Sequence, residues 1–252
     1  MDHALKIAPL LIAAGVLAAA PAFAQANTEP ARDPAKTEVW TPVPATVATP
    51  PGKAPSDAIV LFDGKDASAW ESEQGGRVPW TVADGALTIV PGSKGIRTKQ
   101  RFCDIQLHVE WRTPVKTKGF DGQNRGNSGI FLQELYELQV LDSYNNPTYA
   151  NGQAGSIYKQ AMPLVNASRA PGQWQAYDIL WKAPRFSPGG GLISPARITV
   201  LHNGVLVQDD TVLAGGTEYI GPPSYSPHAC APIHLQEHDA KVSYRNIWVR
   251  EL

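Results

Sequence analysis

The stretch Asp104-Ile105-Gln106-Leu107-His108-Val109-Glu110-Trp111-Arg112-Thr113 decides how the rest of the chain is read. Ile105, Leu107, Val109 and Trp111 leave one side, and Gln106, His108, Glu110 and Arg112 the other. Successive side chains of an extended backbone alternate in this way, whereas a helix needs apolar residues three and four apart. The window therefore predicts a half-buried strand. Outward from it the same alternation recurs. Tyr136, Leu138 and Val140 oppose Glu137 and Gln139; Tyr177, Ile179 and Trp181 repeat the pattern, as do Ile198 and Val200, and Ser243–Arg250 closes the chain with it. Asn203-Gly204, between Ile198–His202 and Val205–Gln208, predicts a type I′ hairpin, because both residue types tolerate the left-handed backbone that turn demands. Asp84-Gly85 predicts a second tight turn between Trp80–Val82 and Leu87–Val90. With about a dozen short strands at turn-length spacing and no helical apolar stripe beyond the N-terminus, the predicted class is all-β, an antiparallel β-sandwich of jelly-roll type.

Of the 252 residues, the first 24 read differently. Ile7–Ala20 is an apolar run rich in Ala and Leu, and Ala22-Phe23-Ala24 and Ala24-Gln25-Ala26 both offer the small-x-small pattern of signal cleavage. The run is short for a bilayer span. Residues 1–24 are expected to be a cleaved signal, with a periplasmic or secreted mature protein and no membrane span after cleavage. Residues 25–56 are expected to be an extended linker, since Asn27–Ser56 holds seven prolines and few apolar side chains. Residues 57–252 then form a single β-sandwich catalytic domain, long enough to bury a core. The net charge of −1 argues against a nucleic-acid partner, which requires a basic stripe against phosphate. Two cysteines exclude four-cysteine zinc signatures; Cys103 and Cys230 fit either a disulfide or two buried thiols.

Polar chemistry concentrates between Gln123 and Lys159. Asn124-Arg125-Gly126-Asn127-Ser128-Gly129 leads into a strand at Ile130–Leu132, and the next strand carries Glu137-Leu138-Gln139-Val140-Leu141-Asp142. Glu137 and Gln139 share a face; Asp142 joins them only if a bulge adds one residue. Two carboxylates bracketing one bond suit acid–base or nucleophilic glycosidase chemistry. The plain alternative is a solvated outer face. Ile233-His234-Leu235-Gln236-Glu237-His238 adds His234 and Gln236 on one face, then Glu237 and His238, and histidine is the usual proton mover near neutrality. His108 and Glu110 are weaker candidates, and Lys159 could polarise a carbonyl. His234, Glu237, His238 and Asp142 are metal-ligand types without a diagnostic spacing, so no cofactor is assigned and a divalent metal stays open. Trp70, Trp174, Tyr144, Tyr149 and Tyr225 fall on expected loops and suit an alternative, non-catalytic carbohydrate-binding module.

At these residues the chain resembles the bacterial secreted family once labelled a domain of unknown function (DUF1080), the 3-keto-disaccharide hydrolase or 3-keto-glucoside 1,2-lyase/hydratase domain. The resemblance is carried by Leu61-Phe62-Asp63-Gly64-Lys65, Trp80-Thr81-Val82, Arg125-Gly126-Asn127-Ser128-Gly129-Ile130, Tyr136–Asp142, Gly172-Gln173-Trp174 with Tyr177-Asp178, His202-Asn203-Gly204-Val205, Leu235-Gln236-Glu237-His238 and Arg245-Asn246-Ile247-Trp248. It implies a concanavalin-like jelly roll related in shape to laminarinase-type glucanases. Glu137-x-Gln139-x-x-Asp142 looks like the acidic strand of those glucanases with an amide at its centre, which argues against ordinary glucan hydrolysis. The resemblance implies instead a small oligosaccharide or glycoside oxidised at C3, with a sugar 3-dehydrogenase acting upstream. Glu137 or His238 is then the base at C2, and Asp142 or Glu237 assists the leaving oxygen. Arg125, Lys159 and Gln139 donate to the ketone, while Asn127, His234 and Gln236 contact the sugar.

Overall fold

The alternation at 104–113 is realised as a strand, Ile105–Arg112, whose residues are buried and half-buried in strict turn. The computed structural model describes residues 33–115 and 120–252, so the expected signal segment lies outside the described residues. Residues 33–45, taken by themselves, hold a short 3₁₀ turn, Pro34–Thr37, capped by Asp33, whose carboxylate accepts from the Ala35 N–H at 3.2 Å. The unit from Thr46 to Leu252 contains fifteen strands. In chain order they are β1 Ile59–Phe62, β2 Trp70–Ser72, β3 Thr81–Ala83, β4 Ala86–Thr88, β5 Ile96–Thr98, β6 Ile105–Arg112, β7 Ser128–Leu132, β8 Tyr136–Val140, β9 Gln175–Lys182, β10 Arg185–Phe186, β11 Leu192–Ser194, β12 Arg197–His202, β13 Val205–Val212, β14 His234–Leu235 and β15 Ser243–Glu251.

Eight of them make the larger sheet, in the order β13-β12-β9-β6-β15-β4-β3 with β1 also on β15; five make the smaller, β2-β5-β14-β7-β8. Pairing is antiparallel throughout both. The hairpins at Asp84-Gly85 and Asn203-Gly204 form as expected, each with both turn residues at positive φ: +52° and +73°, then +54° and +82°. Leu107, Val109, Trp111, Ile179 and Trp181 of the larger sheet share one apolar core with Ile130, Leu132, Leu138, Val140 and Leu235 of the smaller. The fold is an antiparallel β-sandwich, and burial of such side chains, at about 1.5–3 kcal/mol each, drives the two sheets together. Polar links fix how they register. The Tyr177 hydroxyl donates to the Gln139 carbonyl at 2.8 Å, the Ser128 and Tyr244 hydroxyls meet at 2.6 Å, and Tyr136 packs on Trp181 with ring centres 5.1 Å apart.

Cys103 and Cys230 are disulfide-bonded, tying together chain positions 127 residues apart beside the Phe102–Ala231 bridge. Trp70 departs from the loop expected for it: it begins β2, is 2% exposed, and donates its indole N–H to the Leu61 carbonyl at 2.8 Å. His108 and Glu110 belong to the outer polar ladder of the larger sheet. His108 Nδ1 lies 2.7 Å from Asp178, and Glu110 accepts from Arg245 at 2.6 Å and Asn246 at 2.9 Å.

Candidate active site

β8 carries the polar pair Glu137 and Gln139, and the structure leaves neither in water: they are 6% and 1% exposed. The reason is an extra edge. Segment 155–158 runs along the free side of β8, with Gln139 N–H donating to the Ser156 carbonyl, Gly155 N–H to that of Gln139 and Tyr158 N–H to that of Glu137. The solvated outer face is thus replaced by a cavity of about 510 Å³, a size typical of small-molecule sites. Its floor is Phe131, Glu137 and Gln139; Asn127, Gln236 and His238 line one part, and Tyr149, Tyr158, Thr217 and Tyr219 another.

The Glu137 backbone N–H donates to Thr217 Oγ1 at 2.9 Å, but its carboxyl makes no hydrogen bond among the described residues. Burial pushes that carboxyl up from 4.5 to about 8. Gly129 makes room for it, since a Cβ there would stand 2.6 Å from Glu137 Oε1. Gln139 is held differently: its Nε2 donates to Asn127 Oδ1 at 3.2 Å and Gln123 Oε1 at 3.3 Å, while Asn127 Nδ2 donates to the Gln123 carbonyl at 2.7 Å. Its Oε1 is buried without a partner, an acceptor that a bound hydroxyl can satisfy. Opposite, the Tyr149 and Tyr158 hydroxyls lie 2.7 Å apart. One of the two must donate to the other, which leaves one O–H free.

Asp142 sits two residues beyond β8 and does not line this cavity. The pairing of β7 with β8 runs from Ser128–Val140 to Leu132–Tyr136 without a register shift, so the bulge that would have turned Asp142 onto the Glu137 face is absent. Asp142 is instead 1% exposed beside Arg125. Arg125 Nη2 donates to Asp142 Oδ1 at 3.2 Å, and Nε stands 3.0 Å from Oδ2, close in charge though off the hydrogen-bond angle. Arg125 Nη2 also donates to the Tyr144 carbonyl. Burial, the largest effect, holds the Asp142 carboxyl above its usual range, although the Arg125 guanidinium and the Tyr144 N–H pull against it.

Of the ten residues singled out by sequence, the structure brings Glu137, Gln139, Asn127, Gln236 and His238 to one cavity. Lys159 stands at its margin, with Nζ 4.1 Å above the Tyr219 ring and donating to the Tyr219 carbonyl at 2.5 Å. His234 stays on β14, its Nε2 3.2 Å from Glu73, and burial is the main cause that pulls its imidazole below the usual range. Glu237 is used in turns, accepting from the Asp239 N–H at 2.7 Å and the Gly92 N–H at 3.2 Å. Sequence reasoning missed Phe131, Tyr158, Thr217 and Tyr219. Tyr158 adjoins the Lys159 that drew attention, but Thr217 and Tyr219 lie outside any strand and carry no periodic signal. Among the described residues no group of three or more His, Cys, Asp or Glu converges as a metal cluster, and Glu137 and His238 are the two such residues lining the cavity.

Comparison with known proteins gives the family of the chain. The family described as a 3-keto-α-glucoside-1,2-lyase-like domain matches residues 57–250. A crystal structure of a candidate glycosyl hydrolase from Parabacteroides distasonis ATCC 8503 is 51% identical, with a TM-score of 0.85, covering 87% of this chain and 97% of its own. A second candidate glycosyl hydrolase of that organism is 21% identical with a TM-score of 0.58, over 78% of this chain and 94% of its own, and shows the fold alone. No curated protein matches the chain. The extent of the first match and the identity to the first structure make this chain a carbohydrate-active enzyme that belongs to the 3-keto-α-glucoside-1,2-lyase-like family.

Proposed function

We propose that the mature domain cleaves 3-keto-glycosides by elimination and hydration, with Glu137 as the base. The observation that carries this reading is the Glu137 carboxyl itself, buried in a polar cavity without a hydrogen-bond partner among the described residues and raised to about 8. A ketone at C3 acidifies the C2 proton, since its loss gives an enolate. A carboxylate that holds its proton this firmly is a stronger base, once ionised, than a solvated glutamate. Glu137 takes the C2 proton, the C2 electron pair enters the enolate, and its collapse expels the C1 substituent as the C1–O bond breaks. His238, which lines the same cavity, gives a proton to the leaving oxygen. Water then adds its hydroxyl to C1 and a proton to C2, giving 3-keto-glucose, so the net change is hydrolysis. The free hydroxyl of the Tyr149–Tyr158 pair supplies a donor for the enolate oxygen, the kind of preorganised contact that lowers such barriers most. Gln139, Asn127 and Gln236 orient the sugar, and an upstream oxidation at C3 by a sugar dehydrogenase supplies the substrate.

Conventional retaining or inverting hydrolysis requires two carboxyl groups facing one bond. Here Asp142 is withdrawn into its pair with Arg125, which counts against that route. The test is release of a chromogenic aglycone from a 3-keto-glucoside and from the matching unoxidised glucoside by the purified mature protein. Release from the keto substrate alone is expected. Release from the unoxidised glucoside would overturn the elimination reading, and binding of glycans with release from neither would favour a carbohydrate-binding module.

A further inference from the structure

A second cavity, of about 410 Å³, lies beside the first. Two chain segments line both. Residues 123, 124 and 127 face the Glu137 cavity while 124, 125 and 126 face the second; Gln236 and His238 face the first while Asp239, Ala240 and Lys241 face the second. Asn124 belongs to both, so the cavities are neighbours on either side of it. Their linings differ in kind. The second presents Pro91, Pro114, Val115 and Phe120 beside Arg125, Asp239 and Lys241, where the first is walled by amides, a carboxyl and phenols. Val115 and Phe120 are 74% and 52% exposed, an apolar surface without cover among the described residues. Val115 packs on Gly172, where a Cβ would stand 2.5 Å from its Cγ2, and Gly172 N–H donates to the Thr113 carbonyl at 3.0 Å.

We propose that this cleft is the leaving-group subsite, taking an apolar or aromatic C1 substituent of a glycoside whose sugar ring lies over Glu137; the assignment rests on the reaction proposed above. A sugar is held by the hydrogen-bonding groups of the first cavity, whereas most of the surface that the second offers is apolar, with Asn124, Arg125, Asp239 and Lys241 completing its lining. The aglycone is the part of the substrate whose chemistry is free to be apolar, and it leaves the ring at C1. Asn124 lines both cavities, and His238 of the first is followed in the chain by Asp239 of the second, so a glycoside that fills both has its C1–oxygen bond near these residues. The specificity that follows is for glycosides of aromatic or aliphatic alcohols over those with small polar substituents.

The test compares benzyl and methyl 3-keto-glucosides of one anomeric form, whose leaving groups are both simple alkoxides. The wild-type protein is expected to favour the benzyl compound by about tenfold or more in kcat/KM, as an added apolar contact allows. Phe120→Ala and Val115→Asp, both at exposed positions, are expected to erase most of that preference while the methyl compound reacts at its wild-type rate, which also shows that the variants fold. Equal rates for the two glycosides, or a preference that survives both substitutions, would overturn the subsite and leave the reaction standing. Turnover of neither glycoside would overturn the reaction and the subsite with it.

Discussion

Glu137 and Asp142 stand five residues apart on one stretch of chain, both almost fully buried, and they have opposite fates. Asp142 lies against the Arg125 guanidinium and takes the Tyr144 N–H at 3.2 Å, so its charge is answered inside the protein. Glu137 has neither a cation nor a donor among the described residues, and it keeps its proton to about pH 8. Burying an unpaired carboxylate costs several kcal/mol, which protonation avoids. An answered charge holds loops together. An unanswered one is available to a substrate. The difference between the two thus separates an acid built into the scaffold from the acid to which the proposed reaction assigns the chemistry.

The comparison breaks most sharply at Glu137→Gln. Turnover of a 3-keto-glucoside is expected to fall by about a thousandfold or more, in line with removal of a general base. Stability should move the other way, and with pH. The folded protein holds the Glu137 proton up to about 8, whereas the unfolded chain releases it near 4.5. Between those values the unfolded state binds fewer protons, so the stability of the wild type falls as pH rises through the window, by an amount on the order of a few kcal/mol. The glutamine variant lacks that loss. Urea melts at pH 5 and pH 8 should show the variant gaining on the wild type as pH rises, and parallel slopes would remove Glu137 from the account. The rate profile sharpens the same point: kcat/KM of the wild type is expected to climb with pH and level off above about 8, as deprotonation makes the base available. A profile flat from pH 6 to pH 9 would show that Glu137 is no base.

Arg125→Met tests the other half. It strands Asp142 in the interior and is expected to cost about 3–5 kcal/mol of stability by denaturant melts, with partial recovery when Asp142→Asn is added. A cost under about 1 kcal/mol would mean that the pair is no more than an exposed salt bridge.

The sandwich and its hairpins were legible because period-two alternation and the Asn-Gly and Asp-Gly turns are local signals. The site was legible only in part. Glu137 and Gln139 share a face by alternation, but that they face a cavity depends on segment 155–158 pairing along β8, a non-local event that no spacing announces. Asp142 is the instructive case. A ligand-type residue close in sequence to Glu137 invites a carboxylate pair, yet its direction is set by where β8 ends and by a guanidinium seventeen residues upstream. Tyr158 and Tyr219 arrive from two loops, and aromatic residues in loops carry no periodicity from which to predict convergence. Trp70 failed in the opposite sense, since its place in β2 is fixed by a three-residue strand too short to register as alternation.

The smallest expected effect distinguishes two neighbours. Glu237 and His238 are adjacent in sequence and equal as candidates by residue type, but Glu237 accepts from the Asp239 and Gly92 N–H groups while His238 lines the Glu137 cavity. Glu237→Ala is therefore expected to cost about 0.5–1.5 kcal/mol of stability, the worth of a turn tie, and to leave kcat/KM within about twofold. His238→Asn, at an exposed position, should leave stability within about 0.5 kcal/mol and lower kcat/KM for alkyl glycosides, whose poor leaving oxygens need a proton. Side-by-side melts and rates on the methyl 3-keto-glucoside settle the roles. If Glu237→Ala lost activity and His238→Asn did not, the proton for the leaving group would have to come from Glu237, and the turn at 237–239 would have to open in the working enzyme. That outcome would restore Glu237 to the chemistry and narrow the difference between buried, answered acids and free ones to Glu137 and Asp142 alone.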